Sequence, residues 1–295
     1  MCVICLLFFR WKSKRCRDPC WRIGTVATLF ALNGTQPSNT RLAMFFLIAY
    51  AISWAAWTTL FAQHFSFLVG PGRWLYLTAV VAPHAAAVVT TAAEGGRGGL
   101  PAFYRRVLRQ VPFQWAMLAI CVPPIIYLMR DAVVLGFGLP HGPLFHHPPR
   151  TVMTLLFGQT IVVLGEEPGW RGFALPRLIA RFGPIVGTLI LGVAWACWHL
   201  PLFMIAGTPQ YGTGFLPFAL MLMAWSMVIT LLVMRARGSV VPAMLFHASA
   251  NVCAFTMWEP DAQLLALGPW VVPAVIAGWL MKSKLSHGSL TGGTP

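Results

Sequence analysis

The chain has 295 residues, 58% of them hydrophobic and only 9% charged, with a formal charge of +14. Soluble domains carry about 25% charged residues, so this composition cannot wet the surface of a globule, and a soluble fold is excluded. The positive charge falls in short Lys/Arg clusters between apolar segments. That is the pattern of cytoplasmic membrane loops, and it excludes the continuous basic face of a nucleic-acid binder.

Taken in chain order, residues 1–41 form a basic head, with Arg10, Lys12, Lys14, Arg15, Arg17, Arg22 and Arg41 against the single acid Asp18. Its apolar start precedes its charges, the reverse of a secretory signal. It reads as a disordered cytoplasmic tail. A membrane span needs roughly 20 apolar residues. Candidate spans cover 42–63, 74–93, 113–129, 151–165, 185–203, 215–234, 240–257 and 264–281, with a basic loop at 94–111. The fourth is short and borrows length from the motif that follows it. Residues 286–295, rich in Gly and Ser, read as a disordered end.

The expected fold is therefore all-α and integral to the membrane, with about eight transmembrane helices. It divides into the tail (1–41), the first helices (42–150), a motif-bearing core (151–257), and a last helix with its tail (258–295). With the head inside, alternation puts Arg97, Arg105, Arg106, Arg109, Arg171, Arg177, Arg181, Arg235, Arg237, Lys282 and Lys284 on the same side. The other side keeps Arg73, Arg130 and Arg150 and receives Glu259 and Asp261. Both termini are predicted cytoplasmic.

Ionisable residues at membrane depth are costly and mark functional sites. Three groups qualify: Glu166-Glu167-Pro168-Gly169-Trp170-Arg171 after the fourth span, Trp195…His199 in the fifth, and His247…Asn251 in the seventh. Glu167 and Arg171, Trp195 and His199, and His247 and Asn251 are each four residues apart, hence neighbours on one helix face. Pro168 suits a first helical turn, which would set the carboxylates at a helix N-terminus, where the dipole favours them. Three helices offering polar faces to one another build a bundle-core site.

A carboxylate beside an imidazole can take a proton from water, and a His and an Asn can donate to a developing oxyanion. The same side chains, Glu166, His199 and His247, could instead hold a zinc ion with water at its open position. Either arrangement performs hydrolysis with activated water. Singly, each motif also fits a packing role, Arg171 as an interfacial anchor and the tryptophans as belt residues. His84, after Pro83, fits a packed histidine bonded to a neighbouring carbonyl. Their co-occurrence on successive helices favours chemistry. His-Glu-x-x-His and Gly-x-Ser-x-Gly are both absent, which removes zincin-like and nucleophile-elbow readings.

Glu166-Glu167…Arg171, Trp195…His199 and His247…Asn251 together resemble the CPBP family of CAAX proteases and bacteriocin-processing enzymes. This group is also called the Abi family and includes the type II CAAX prenyl endopeptidases. The resemblance spans roughly residues 151–255. It implies an eight-helix fold with an intramembrane cavity open to the cytoplasmic side, in the bacterial inner membrane. It also implies that Glu166 and His199 activate water, His247 and Asn251 form the oxyanion site, and Glu167 and Arg171 orient them. The family has been described both as metalloproteases and as metal-independent glutamate proteases, and both readings stay open here. The implied partners are a peptide or membrane-protein substrate and the lipid bilayer, with no nucleic acid. Two departures stand out: Trp195 where the family more often has Phe, and Pro168-Gly169 directly after the acids. A catalytically silent scaffold of the same fold and a proton-coupled transporter are the rival readings.

Overall fold

The computed structural model describes residues 39–138, 149–257 and 263–288. The head (1–38), the connections 139–148 and 258–262, and the last residues (289–295) lie outside them, and with them most of both expected disordered tails. Among the described residues the chain is helical, without strands. We number the α-helices α1 (Asn39–Ala62), α2 (Gly70–Val107), α3 (Phe113–Gly136), α4 (Pro149–Glu167), α5 (Leu175–Trp198), α6 (Phe215–Arg235), α7 (Val241–Met257) and α8 (Gln263–Gly288). A π-helical turn, Pro168–Ala174, joins α4 to α5, and a 3-10 turn, Leu200–Met204, follows α5.

Five helical stretches are long and apolar enough to cross a membrane: Asn39–Ala62, Gly70–Gly96, Phe113–Gly136, Val152–Met204 and Phe215–Arg235. Two shorter apolar helices, Val241–Phe255 and Leu267–Lys282, accompany them. The stretch Val152–Met204 holds 53 residues. Straight, at 1.5 Å per residue, it would reach about 80 Å, more than twice a hydrocarbon core of about 30 Å. It reverses instead at Gly183, whose φ of 76° only glycine adopts freely. The reversal is tight enough that a Cβ on Gly187 would lie 2.7 Å from the Leu178 carbonyl carbon.

The basic stretch expected as a loop at 94–111 is helical as far as Val107. Despite its Gly and Pro content, the break in helical geometry is confined to Gly96, with φ 53°. His84 and Tyr104, twenty residues apart in α2, meet at 2.8 Å, where a straight helix would separate them by about 30 Å. The second half of α2 thus folds back over the π turn. There Arg106 Nη2 donates to the Gly172 carbonyl at 2.6 Å. Burial, with Arg177 and Arg109 close by, pushes this guanidinium down to about 10, which leaves it charged at neutral pH.

Prolines inside helices leave carbonyls without a donor, and neighbouring helices supply them. Pro83 frees the Ala79 carbonyl, which accepts from Ser53 Oγ of α1 at 2.7 Å. Pro168 frees the Leu164 carbonyl, which accepts from His84 Nδ1 at 2.7 Å. His84 is therefore the packed histidine that its sequence context suggested. The same α2 segment lies so close to α4 that a Cβ on Gly165 would sit 2.8 Å from the Val80 carbonyl oxygen. Gly169 abuts Pro83 in the same way. This is the close backbone approach that a Gly-x-x-x-Gly face permits between membrane helices.

Candidate active site

The helix leaving α4 runs on through the motif, so the carboxylates close one helix and open a π turn without a break. The helix N-terminus expected at Pro168 is therefore replaced by continuous backbone, and no free terminal dipole faces the acids. The turn is buried throughout. π turns inside α-helices recur at functional sites, and this one follows directly on the two carboxylates that end α4.

Glu166 lines a cavity of about 500 Å³, together with Gln159, Trp195, His199, His247 and Asn251. One of its oxygens accepts from Trp195 Nε1 at 2.8 Å. Glu167 does not reach the cavity. Its Oε1 accepts from Arg171 Nη1 at 2.9 Å and from His247 Nδ1 at 2.8 Å, and both Glu167 and Arg171 have no solvent exposure. The Arg171 guanidinium stacks 4.0 Å from the centroid of Trp195 and donates from Nη2 to Ser226 Oγ at 3.2 Å. Breaking a buried ion pair of this kind by removing one partner costs about 3–5 kcal/mol.

The hydrogen bonds fix the imidazoles. A carbonyl only accepts, so His199 donates from Nδ1 to the Trp195 carbonyl at 2.7 Å. His247 likewise donates from Nδ1 to the Glu167 carboxylate. Each neutral ring then keeps Nε2 as an acceptor, and neither Nε2 is in a hydrogen bond among the described residues. His247 becomes a donor at Nε2 only when both its nitrogens carry protons. Asn251 donates one amide N–H to Gln159 Oε1 at 2.7 Å, and its amide holds a second N–H.

Of the six residues singled out by sequence, Glu166, His199, His247 and Asn251 share the cavity wall, while Glu167 and Arg171 stand behind it. Gln159, Tyr76 and Ser226 were not anticipated. Gln159 precedes Glu166 by seven residues, two helical turns on the same face, and that spacing was a usable signal. Nothing in the sequence pointed to Tyr76 or Ser226. Trp195 accounts for one departure from the resemblance, because a Phe there could not donate to Glu166.

Among the described residues no three His, Cys, Asp or Glu side chains converge as metal ligands. Glu166, His199 and His247 share one cavity without forming such a set. A larger, shallow groove of about 630 Å³, lined by Gly70, Pro71, Trp74, Leu75 and Thr78, holds no titratable side chain and cannot carry the chemistry.

Comparison with known proteins meets this geometry. Residues 134–253 match the family model described as type II CAAX prenyl endopeptidase Rce1-like. The match falls on the motif-bearing core. A CAAX prenyl protease 2 from Methanococcus maripaludis is 22% identical over 228 residues, covering 71% of this chain and 82% of the relative. The matched stretch contains all three motifs, from α4 through Asn251. The cavity also uses Trp57, Tyr76 and Leu267, which lie outside it, so α1, α2 and α8 complete the wall.

Proposed function

We propose that this chain is an intramembrane endopeptidase that hydrolyses an uncharged stretch of peptide in the cavity between α4, α5 and α7. The observation that carries the reading is the placing of one Glu166 oxygen and the His199 Nε2 at the same cavity while Glu167 is fixed behind the wall. A water between those two acceptors gives a proton to one of them as its oxygen bonds to the scissile carbonyl carbon. The carbonyl electrons move to oxygen, and the second Asn251 N–H stabilises the oxyanion, joined by His247 Nε2 when that ring is doubly protonated. Collapse breaks the C–N bond, and the departing amine takes up the abstracted proton. Glu167 and Arg171 orient His247 and Trp195, and through Trp195 they hold Glu166.

The matched family and the named relative support peptide-bond hydrolysis. A prenylated CAAX end is not required by the cavity chemistry. The polar wall groups other than Glu166 and the two imidazoles are neutral amides, hydroxyls and indoles, which suit a peptide backbone.

The test is peptide cleavage by purified protein carrying Glu166→Gln, which keeps size and hydrogen bonding but removes the proton acceptor. Turnover should fall by roughly 10²–10⁴-fold while folding, followed by thermal unfolding in detergent, is unchanged. Cleavage at the wild-type rate would reject the assignment. Metal dependence is checked on the same preparation: we propose metal-independent chemistry, so chelation should leave turnover intact. Activity lost on chelation and restored by stoichiometric zinc would overturn that part.

A further inference from the structure

The arginines and the cavity sit at opposite ends of the bundle. Arg41 at the start of α1 donates to the Ala93 carbonyl, and Arg181 reaches Asn39. Arg177 pairs with Glu94, and Arg106 with the Gly172 carbonyl. Arg109 donates to the Arg237 carbonyl at 2.9 Å, and Arg235 lies 5.5 Å over Trp115 near the start of α3. These contacts gather the start of α1, the bend of α2, the start of α3, the π turn and the end of α6 into one arginine-rich end. Val240, just before α7, joins it by donating to the Val107 carbonyl at 2.9 Å.

The cavity wall is drawn from the other ends of the same helices. Trp57 lies late in α1 and Tyr76 early in α2, while Pro217 opens α6 and Phe255 lies near the end of α7. Tyr211 and its neighbours, in the connection between the 3-10 turn and α6, close the wall. Glu166 and His247 are the wall residues nearest the arginine end along their helices. At the cavity end the described cations are Arg73, Arg130 and Arg150 only, at the start of α2, late in α3 and at the start of α4.

The Lys/Arg-rich end of a membrane bundle faces the cytoplasm. We infer that the cavity faces the extracytoplasmic side, so that the peptide it takes is presented from outside the cytoplasm. This rests on the peptidase reading above for what the cavity does, and on the charge asymmetry alone for where it faces. It runs against the cytoplasmic opening that the family resemblance implied, because the same arginines that set the orientation stand behind the catalytic wall and not at the cavity mouth. The substrate class follows: an exported or membrane-tethered peptide with an uncharged segment at the outer face, in place of a cytoplasmic C-terminus.

Two readouts keep side and chemistry apart. In a background lacking the seven native cysteines, single cysteines replace Tyr211 and Ala254 at the cavity and Gly98 in the second half of α2. Gly212 is avoided because its φ of 74° would strain any side chain, whereas a Cβ at Gly98 meets open space. In intact cells an impermeant charged thiol reagent should modify Tyr211→Cys and Ala254→Cys, and Gly98→Cys only after permeabilisation. The reverse pattern overturns the inference, whether or not the variants cleave peptide. The second readout is an impermeant quenched apolar peptide added outside intact cells. It should be cut by the wild type and not by Glu166→Gln. Cleavage restricted to permeabilised cells would overturn the inference. Cysteines labelled as expected with no cleavage on either side would support the orientation and reject the peptidase reading.

Discussion

Two adjacent glutamates with the same chemistry occupy opposite sides of one wall, and their surroundings differ accordingly. Glu166 keeps an oxygen free at the cavity, whereas Glu167 spends its Oε1 on Arg171 and His247. Trp195 links the two, stacked on Arg171 and donating to Glu166. Trp195→Phe should therefore keep the stack but release Glu166. We expect kcat to fall by about 10-fold or more, in line with one lost hydrogen bond to a charged group at about 1.5–3 kcal/mol, with KM little changed. Wild-type kcat in Trp195→Phe with a loss only in Trp195→Ala would mean that packing, not the N–H, is what matters. The six motif residues were legible because a spacing of four gives every one but Glu166 a partner on its helix face and the bilayer makes each polar side chain stand out. Helix geometry alone could not tell which glutamate faces the cavity. Adjacent residues of α4 point about 100° apart, and only the packing of α2 and α7 around α4 decides which of those directions is the cavity. Ser226 was illegible for a plainer reason: a hydroxyl in an apolar helix usually bonds its own backbone, and only the fold brings Arg171 to it.

The helices themselves were read well where their apolar runs are uninterrupted, as in α1 and α6, whereas α3 runs past the expected end at 129, through Arg130 and Asp131, to Gly136. The errors came where glycine and proline crowd together. Residues 94–111, expected as a basic loop between spans, contain the poor helix formers Gly95, Gly96, Gly98, Gly99 and Pro101, yet tertiary packing on the π turn carries the helix to Val107. Gly165 and Gly169, whose packing role the sequence did not show, prove to be the contact face of α4 and the π turn against α2. The donor that His84 gives to the Leu164 carbonyl offers a direct test of how the bundle tolerates Pro168. His84→Ala should leave that carbonyl unsatisfied and cost about 1–3 kcal/mol of stability, read as a lower unfolding temperature in detergent. In a Pro168→Ala background the backbone N–H of residue 168 can take over as donor, so the His84→Ala loss should shrink. Additive losses in the double-mutant cycle would show that the histidine does not act through that carbonyl.

Across the molecule, charge is sorted by position: arginines at one end, a cavity whose described wall contains no Lys or Arg at the other. Glu166 is its only formally charged side chain when both imidazoles are neutral. The two internal connections outside the described residues, 139–148 and 258–262, contain no Lys or Arg either, and the second adds Glu259 and Asp261. Arg171 is the nearest guanidinium to the wall, but it is sealed behind Trp195 and committed to Glu167. A substrate carboxylate drawn into this cavity would lose its hydration and meet Glu166 without a counter-charge, and an unpaired buried charge costs several kcal/mol. The site should therefore discriminate against a free C-terminus close to the scissile bond. Two apolar peptides identical except for a terminal carboxylate or carboxamide three residues beyond the cut should differ in kcat/KM by at least about 10-fold, equivalent to about 1.4 kcal/mol, in favour of the amide. Binding to Glu166→Gln, followed by the fluorescence of the cavity tryptophans Trp57, Trp195, Trp198 and Trp225, should show a smaller preference, because the repelling charge is gone. A carboxylate peptide cleaved as well as its amide would mean that a cation reaches the substrate from elsewhere in the chain, and the neutral-wall account of specificity would fall with it.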